Sequence, residues 1–177
     1  MNINNELAKR LENFRLPRLN EITNVGLYLE QTAKFINQSL SLLNQPEITT
    51  SMISNYVKLR LIPNPQKKQY SNNHIALLIF ISLAKTVISL DDIRYLLTIQ
   101  SDNFAQEKTY DLFCEVFEVY LKTIFSINNQ VIQPLINSSS ERELMVSIIT
   151  TIVQKIYLDH YLYNYRNSDK SAEDGIK

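Results

Sequence analysis

Apolar residues recur at three- and four-residue intervals along nearly the whole chain, and that period predicts helices. Leu7, Leu11 and Phe14 mark a short helix near residues 4–14, ended by Leu16-Pro17-Arg18 because proline cannot continue the hydrogen-bond ladder. Leu29, Ala33, Ile36, Leu40 and Leu43 lay one stripe along a helix of about 24–43, broken at Asn44-Gln45-Pro46-Glu47. Thr49 and Thr50 are N-cap candidates for a helix over about 51–59, with Ile53, Tyr56 and Val57 inward and Met52, Ser54, Asn55 and Lys58 pointing elsewhere. The stretch from Ile62 to Tyr70 carries Pro63 and Pro65, so it is an extended basic loop or a short wing of two strand pieces. Ser71 caps a helix of about 72–86. Its run from Ile75 to Ile81 has no polar position, which marks it as the central buried helix. Ser89-x-x-Asp92 opens another helix, with Leu90, Ile93 and Leu97 on its face.

The second half follows the same period. A polar joint at Gln100–Ala105 precedes a helix of about 105–127, striped by Tyr110, Phe113, Phe117, Leu121 and Ile124, with Glu118 and Lys122 spaced as an i, i+4 ion pair. Asn128, Asn129 and Pro134 break it. A long helix follows to about Tyr165, on Leu144, Ile148, Ile152 and Ile156. From Asn167 onward there is little to bury, and disorder is expected.

Composition narrows the chemistry. The 177 residues include two glycines, Gly26 and Gly175, too few for a Rossmann or P-loop phosphate cradle or for a sheet rich in tight hairpins. Cys114 stands alone on a helical pattern, which fits a packed thiol in a reducing cytosol. His74 and His160 are the only histidines and lack metal-ligand spacing. No catalytic motif is present, so neither enzyme activity, metal nor cofactor is expected. The N-terminus lacks the apolar core of a signal peptide, and the run Ile75–Ala84 is ten residues where a membrane span needs about 20. A cytoplasmic protein with no membrane association is therefore expected. Tyr157, Tyr161, Tyr163 and Tyr165 are read as packing against a neighbouring helix or a second subunit, with a ligand pocket as the other reading.

Charge is segregated although the net charge is zero. Residues 1–47 hold five acids and five bases. Residues 48–90 hold five bases (Lys58, Arg60, Lys67, Lys68 and Lys85) and no acid, while 91–177 are net acidic. A basic middle on an acidic helical body has the footprint of a nucleic-acid-binding head. A recognition helix needs small and polar side chains toward its N-terminal end, where it meets base edges. Thr50, Ser51, Ser54 and Asn55 supply them, and Lys58 and Arg60 follow. Lys67, Lys68 and Tyr70 on the loop are candidates to hold phosphates. Against this stands a plain reading in which the threonines only cap, Asn55 only solvates a helix face and the lysines only keep a loop soluble.

The segment Thr49–Pro63 resembles the second helix of MerR-type winged helix-turn-helix proteins, which read hydroxyl-x-x-Ile-Arg-Tyr-Tyr-Glu-x-x-Gly-Leu-Ile-x-Pro. Ile53, Tyr56, Leu61 and Ile62 hold the matching places. Lys68-Gln69-Tyr70 resembles the wing's Arg-x-Tyr, and Ile75–Leu97 resembles the following helix pair. The departures are Ser54 for the phosphate-binding Arg, Asn55 for the first Tyr, Arg60 for the turn Gly and Asn64 for the Pro. A closer resemblance is to a bacterial family of a domain of unknown function, 1836. Its pattern is similar to Leu16-Pro17-Arg18, Leu27-Tyr28-x-x-Gln31, Met52-Ile53-x-Asn55-Tyr56-Val57-Lys58, Lys67-Lys68-x-Tyr70-Ser71 and His74-Ile75-Ala76, over about residues 15–100.

These readings give an all-α expectation in four parts: an N-terminal helix and linker (1–23), a winged helix-turn-helix-like, MerR-like head (24–98), a helical body (105–166) and a disordered tail (167–177). The expected function is a DNA-binding transcription regulator acting as a homodimer, with its small-molecule effector, if any, unassigned. The alternative is a non-enzymatic helical adaptor that keeps the fold and binds a protein partner.

Overall fold

The structure is a computed structural model that describes residues 9–99, 107–125 and 140–174. It is mostly helical: α1 (Leu29–Leu40), α2 (Thr50–Lys58), α3 (Asn72–Ala84), α4 (Leu90–Ile99), α5 (Glu107–Phe125) and α6 (Ser140–Asp174), with 3-10 turns at Leu19–Glu21 and Ser41–Leu43. Among the described residues, extended pairing is limited to two isolated antiparallel bridges, Leu27 with Tyr70 and Gln66 with Gln69.

Helix α3 is the centre, as its unbroken apolar run requires. Every residue from His74 to Ala84 is buried, and the helix packs against α1, α6 and the Leu19–Glu21 turn. Burying one Leu, Ile or Phe stabilises by roughly 1.5–3 kcal/mol, so α3 carries a large share of the driving force. Phe80 meets Phe113 of α5 edge-on, with ring centroids 5.4 Å apart. Phe113 stacks in turn on Phe117.

Most of the expected stripes are buried: Ala33, Ile36, Leu40 and Leu43 along α1 and the turn after it, Ile53 and Tyr56 of α2, and Tyr110, Phe113, Phe117 and Leu121 of α5, while Leu29, Val57 and Ile124 are half-buried. The stripe of α6 holds the expected Ile152 and Ile156, but its first half sits one position away from expectation. Met145, Ile149, Ile152, Val153 and Ile156 are buried, while Leu144 and Ile148 are only half-buried. The doublet Ile148-Ile149 and the run Leu144-Met145-Val146 offer the same period in either register, and packing against α5 selects the second. Helix α6 runs on to Asp174, past the expected end near Tyr165 and through part of the expected tail. Extending a nucleated helix by one residue costs little.

The described part of the N-terminal segment packs into the core. Leu11, Phe14, Leu16, Leu19 and Ile22 are all buried. Leu7, the joint at 100–105 and the break at 128–134 lie outside the described residues. Glu118 does not form the expected pair with Lys122. Its carboxylate accepts from Arg18 through both oxygens (Nη1 to Oε1 2.6 Å, Nη2 to Oε2 2.9 Å) and from the Leu16 backbone N–H at 2.8 Å. These two side chains are 14% and 11% exposed. Hydrogen bonding to Glu118 is the main reason the Arg18 guanidinium holds its proton even more firmly than usual. The fork of an Arg matches a carboxylate bidentately, which a Lys in its place would not. Beside it, the Leu19 N–H donates to Asp111 of α5.

Cys114 is buried, and burial pushes its thiol up to about 12, which leaves little thiolate near neutral pH. No described helix is long and apolar enough to cross a membrane. No cluster of three or more His, Cys, Asp or Glu suited to a metal occurs among the described residues.

Candidate nucleic-acid interface

Helix α2 begins where Thr49 Oγ1 accepts from the Met52 N–H at 3.2 Å, so Thr49 is the cap and Thr50 the first helical residue. The turn before it is clamped by Asn37 of α1. That amide accepts from the Ile48 N–H at 2.9 Å and donates to the Ile48 carbonyl at 3.0 Å. Ile53 and Tyr56 fix the inner face against α1. Ser51, Ser54, Asn55 and Lys58, spaced i, i+3, i+4 and i+7, then share the opposite face. Ser51, Asn55 and Lys58 are exposed, and Ser54 and Thr50 are half-buried.

The helix ends in a left-handed turn. Arg60 has φ +57°, its N–H donates to the Val57 carbonyl, and the Leu61 N–H donates to the Tyr56 carbonyl. This is the Schellman arrangement that usually calls on glycine. The conformation is therefore the one a Gly would hold, with an exposed Arg side chain accepting the steric cost. Arg94 of α4 donates to the freed Leu59 carbonyl at 3.3 Å, placing a cation at the C-terminal end of α2. Sequence reasoning missed this contact, because only the fold brings the two helices together.

The loop is a tight hairpin. Gln66 and Gln69 pair, with the Gln69 N–H on the Gln66 carbonyl at 2.8 Å. Lys67 and Lys68 between them both have positive φ, +49° and +64°. Two positive values at the central positions make a type I′ turn, which ordinarily selects Asn-Gly. Here both lysines are exposed at the tip.

Tyr70 is withdrawn from the expected contact set. It is 5% exposed, and burial raises its hydroxyl pKa. Its backbone exchanges two hydrogen bonds with Leu27, at 2.8 and 2.9 Å, and its ring meets His74 edge-on at 5.8 Å. An apolar ring at the root of the hairpin is drawn into the core. Tyr70 thus anchors the lysines without joining them at the surface. Gly26, at φ +78°, passes so close to Gln69 that an added Cβ would lie 3.1 Å from that side chain.

His74 completes the root. Its Nδ1 accepts from the Ser71 backbone N–H at 3.1 Å and lies 2.7 Å from Ser71 Oγ. A backbone N–H only donates, so the neutral ring carries its proton on Nε2, which makes no hydrogen bond of good geometry. Burial lowers the His74 pKa, partly offset by the nearby carbonyls of Pro63 and Asn64.

The fold thus brings Thr50, Ser51, Ser54, Asn55 and Lys58 together on one helix and places Arg60 at its exit. Lys67 and Lys68 form a separate pair at the hairpin tip. No curated protein and no solved structure matches the chain. A family model does match, over residues 17–117, and its span takes in the Arg18–Asp111 region, the α2 face, the hairpin and most of α5: the chain belongs to the family described as Domain of unknown function (DUF1836).

Proposed function

We propose that this protein is a DNA-binding transcription regulator whose head is a MerR-like winged helix-turn-helix, with α2 as the recognition helix and the Gln66–Gln69 hairpin as the wing. The observation that supports the reading is the outer face of α2, with Ser51, Asn55 and Lys58 exposed and Ser54 half-buried among them. Asn pairs bidentately with adenine, the hydroxyls reach bases or phosphates, and lysines neutralise phosphate. Residues 48–90 contain no acid to oppose the approach of a polyanion. Binding to random and genomic DNA fragments across a salt series tests it. Affinity that falls steeply with salt, and enrichment of one sequence, support the reading. A folded protein that binds no DNA even at low salt refutes it and favours the adaptor, a reading drawn from Ser54 standing where MerR-type proteins carry a phosphate-binding Arg.

The regulator acts as a homodimer in this proposal, since such proteins read two half-sites. Leu158, Tyr161, Leu162 and Tyr165 of α6 are spaced i, i+3, i+4 and i+7 and are 43–62% exposed, an apolar face suited to a second copy. Sedimentation showing only monomer at micromolar concentration would refute the dimer.

A further inference from the structure

A cavity of about 260 Å³ lies behind the turn that leads into α2, lined by Leu40, Asn44, Gln45, Ile48 and Ser82 among others. Two features set it apart from an ordinary packing gap. Ser82, on the central helix, is 4% exposed, and its hydroxyl has no hydrogen-bond partner. A helical serine commonly satisfies itself on the carbonyl one turn back, so a buried hydroxyl left open beside a cavity has a place for a partner there. The outer groove next to it, sharing Asn37, Ser41 and Glu47 with the cavity wall, carries Lys34 and Glu47. Both are exposed, and neither is in an ion pair among the described residues.

We propose that this cavity is a binding site for a small zwitterion, a free amino acid or a molecule of that size and charge pattern. Glu47 takes the ammonium group, Lys34 takes the carboxylate, and Ser82 bonds the polar end of the side chain inside. Leu40 and Ile48 cover its apolar part. Charge-assisted bonds of both signs at the mouth select a zwitterion over a simple cation or anion. A volume of about 260 Å³ limits the guest to a small molecule. The site lies at the root of the turn whose Thr49 caps α2, and Asn37, which clamps Ile48, forms part of its wall. Occupancy therefore braces the start of α2. The site stands independently of the DNA reading.

The test is thermal unfolding and NMR of the full chain with each standard L-amino acid at millimolar concentration. A ligand that binds the folded state raises Tm by mass action. One or a few amino acids are expected to do so saturably. Glu47→Gln and Ser82→Ala should each weaken that binding about tenfold, the effect of losing one hydrogen bond to a charged or buried partner. Ser82→Ala removes an unsatisfied hydroxyl and should leave the free protein at least as stable, so lost binding is not lost folding. The N-acetyl form of the hit should fail to bind. The proposal is overturned if no amino acid shifts Tm or the spectrum, if affinity is unchanged in both variants, or if the N-acetyl form binds as well. No DNA is present in any arm, so none of these outcomes depends on whether α2 reads DNA.

Discussion

The tip of the hairpin separates backbone strain from charge in a single pair of variants. Lys67 and Lys68 sit at φ +49° and +64°, where a non-glycine residue costs on the order of 1 kcal/mol or more. Lys67→Asn with Lys68→Gly installs the residues the turn prefers. Relief at the two positions is about 2 kcal/mol, and the entropy a new glycine adds to the unfolded chain returns roughly 0.5–1. The net gain is about 1 kcal/mol, or roughly 2–4 °C in Tm for a chain of this size. The same variant removes two cations. If each holds one phosphate, the slope of log K against log salt becomes shallower by up to ~0.9 per lysine, about 1.8 together. The control, Lys67→Ala with Lys68→Ala, removes the same charges and keeps the strain. It should lose DNA affinity equally while gaining no stability. Thermal unfolding and a salt-dependent DNA titration read both quantities on the same samples. A lower Tm for the Asn-Gly variant would refute the left-handed turn. A salt slope unchanged in both variants would refute the hairpin as a phosphate contact.

Arg18→Ala strands the Glu118 carboxylate with only backbone donors. Breaking so enclosed a pair should cost about 3–5 kcal/mol in urea unfolding, while the double replacement Arg18→Met with Glu118→Leu should cost much less. Burial is the first cause lowering the pKa of both His74 and His160 below the ordinary 6.5. In each case the unfolded chain binds the proton more tightly, so the stabilisation is fully present above pH 6.5 and declines as pH falls below it. Tm should drop on acidification from pH 7 to about 5, and His74→Gln should flatten part of that slope. Cys114, pushed up to about 12 and buried, should resist alkylation at pH 8 in the folded protein and react on unfolding.

How far the fold was legible depended on whether one residue's neighbours could be read from its own segment. The central helix was legible because Ile75–Ile81 leaves no polar face. The inner face of α2 was legible because Ile53 and Tyr56 recur at helical spacing among polar residues. The left-handed turn at Arg60 was foreshadowed by the glycine that MerR-type proteins hold there. The register of α6 was not, since adjacent apolar residues satisfy the period twice. Nor was the inward turn of Tyr70, a side chain equally suited to surface and core. Two lysines in a type I′ turn run against every local preference, so nothing local announces them. The role of Leu16-Pro17-Arg18 depends on a carboxylate a hundred positions away in sequence, and the cavity at Ser82 depends on three separate segments. Neither is written in any window of the chain.

The anchoring of the N-terminal segment has a consequence for synthesis. Phe14 packs on Phe117 with ring centroids 6.3 Å apart, and the Leu16 N–H and the Arg18 guanidinium both donate to Glu118. A growing polypeptide therefore leaves Phe14 and the Leu16 N–H without these partners until residues 117 and 118 have emerged. Native closure is a late, long-range event that local helix formation cannot substitute for. The segment and α5 are therefore expected to open as one unit in hydrogen exchange, although about a hundred positions of sequence separate them.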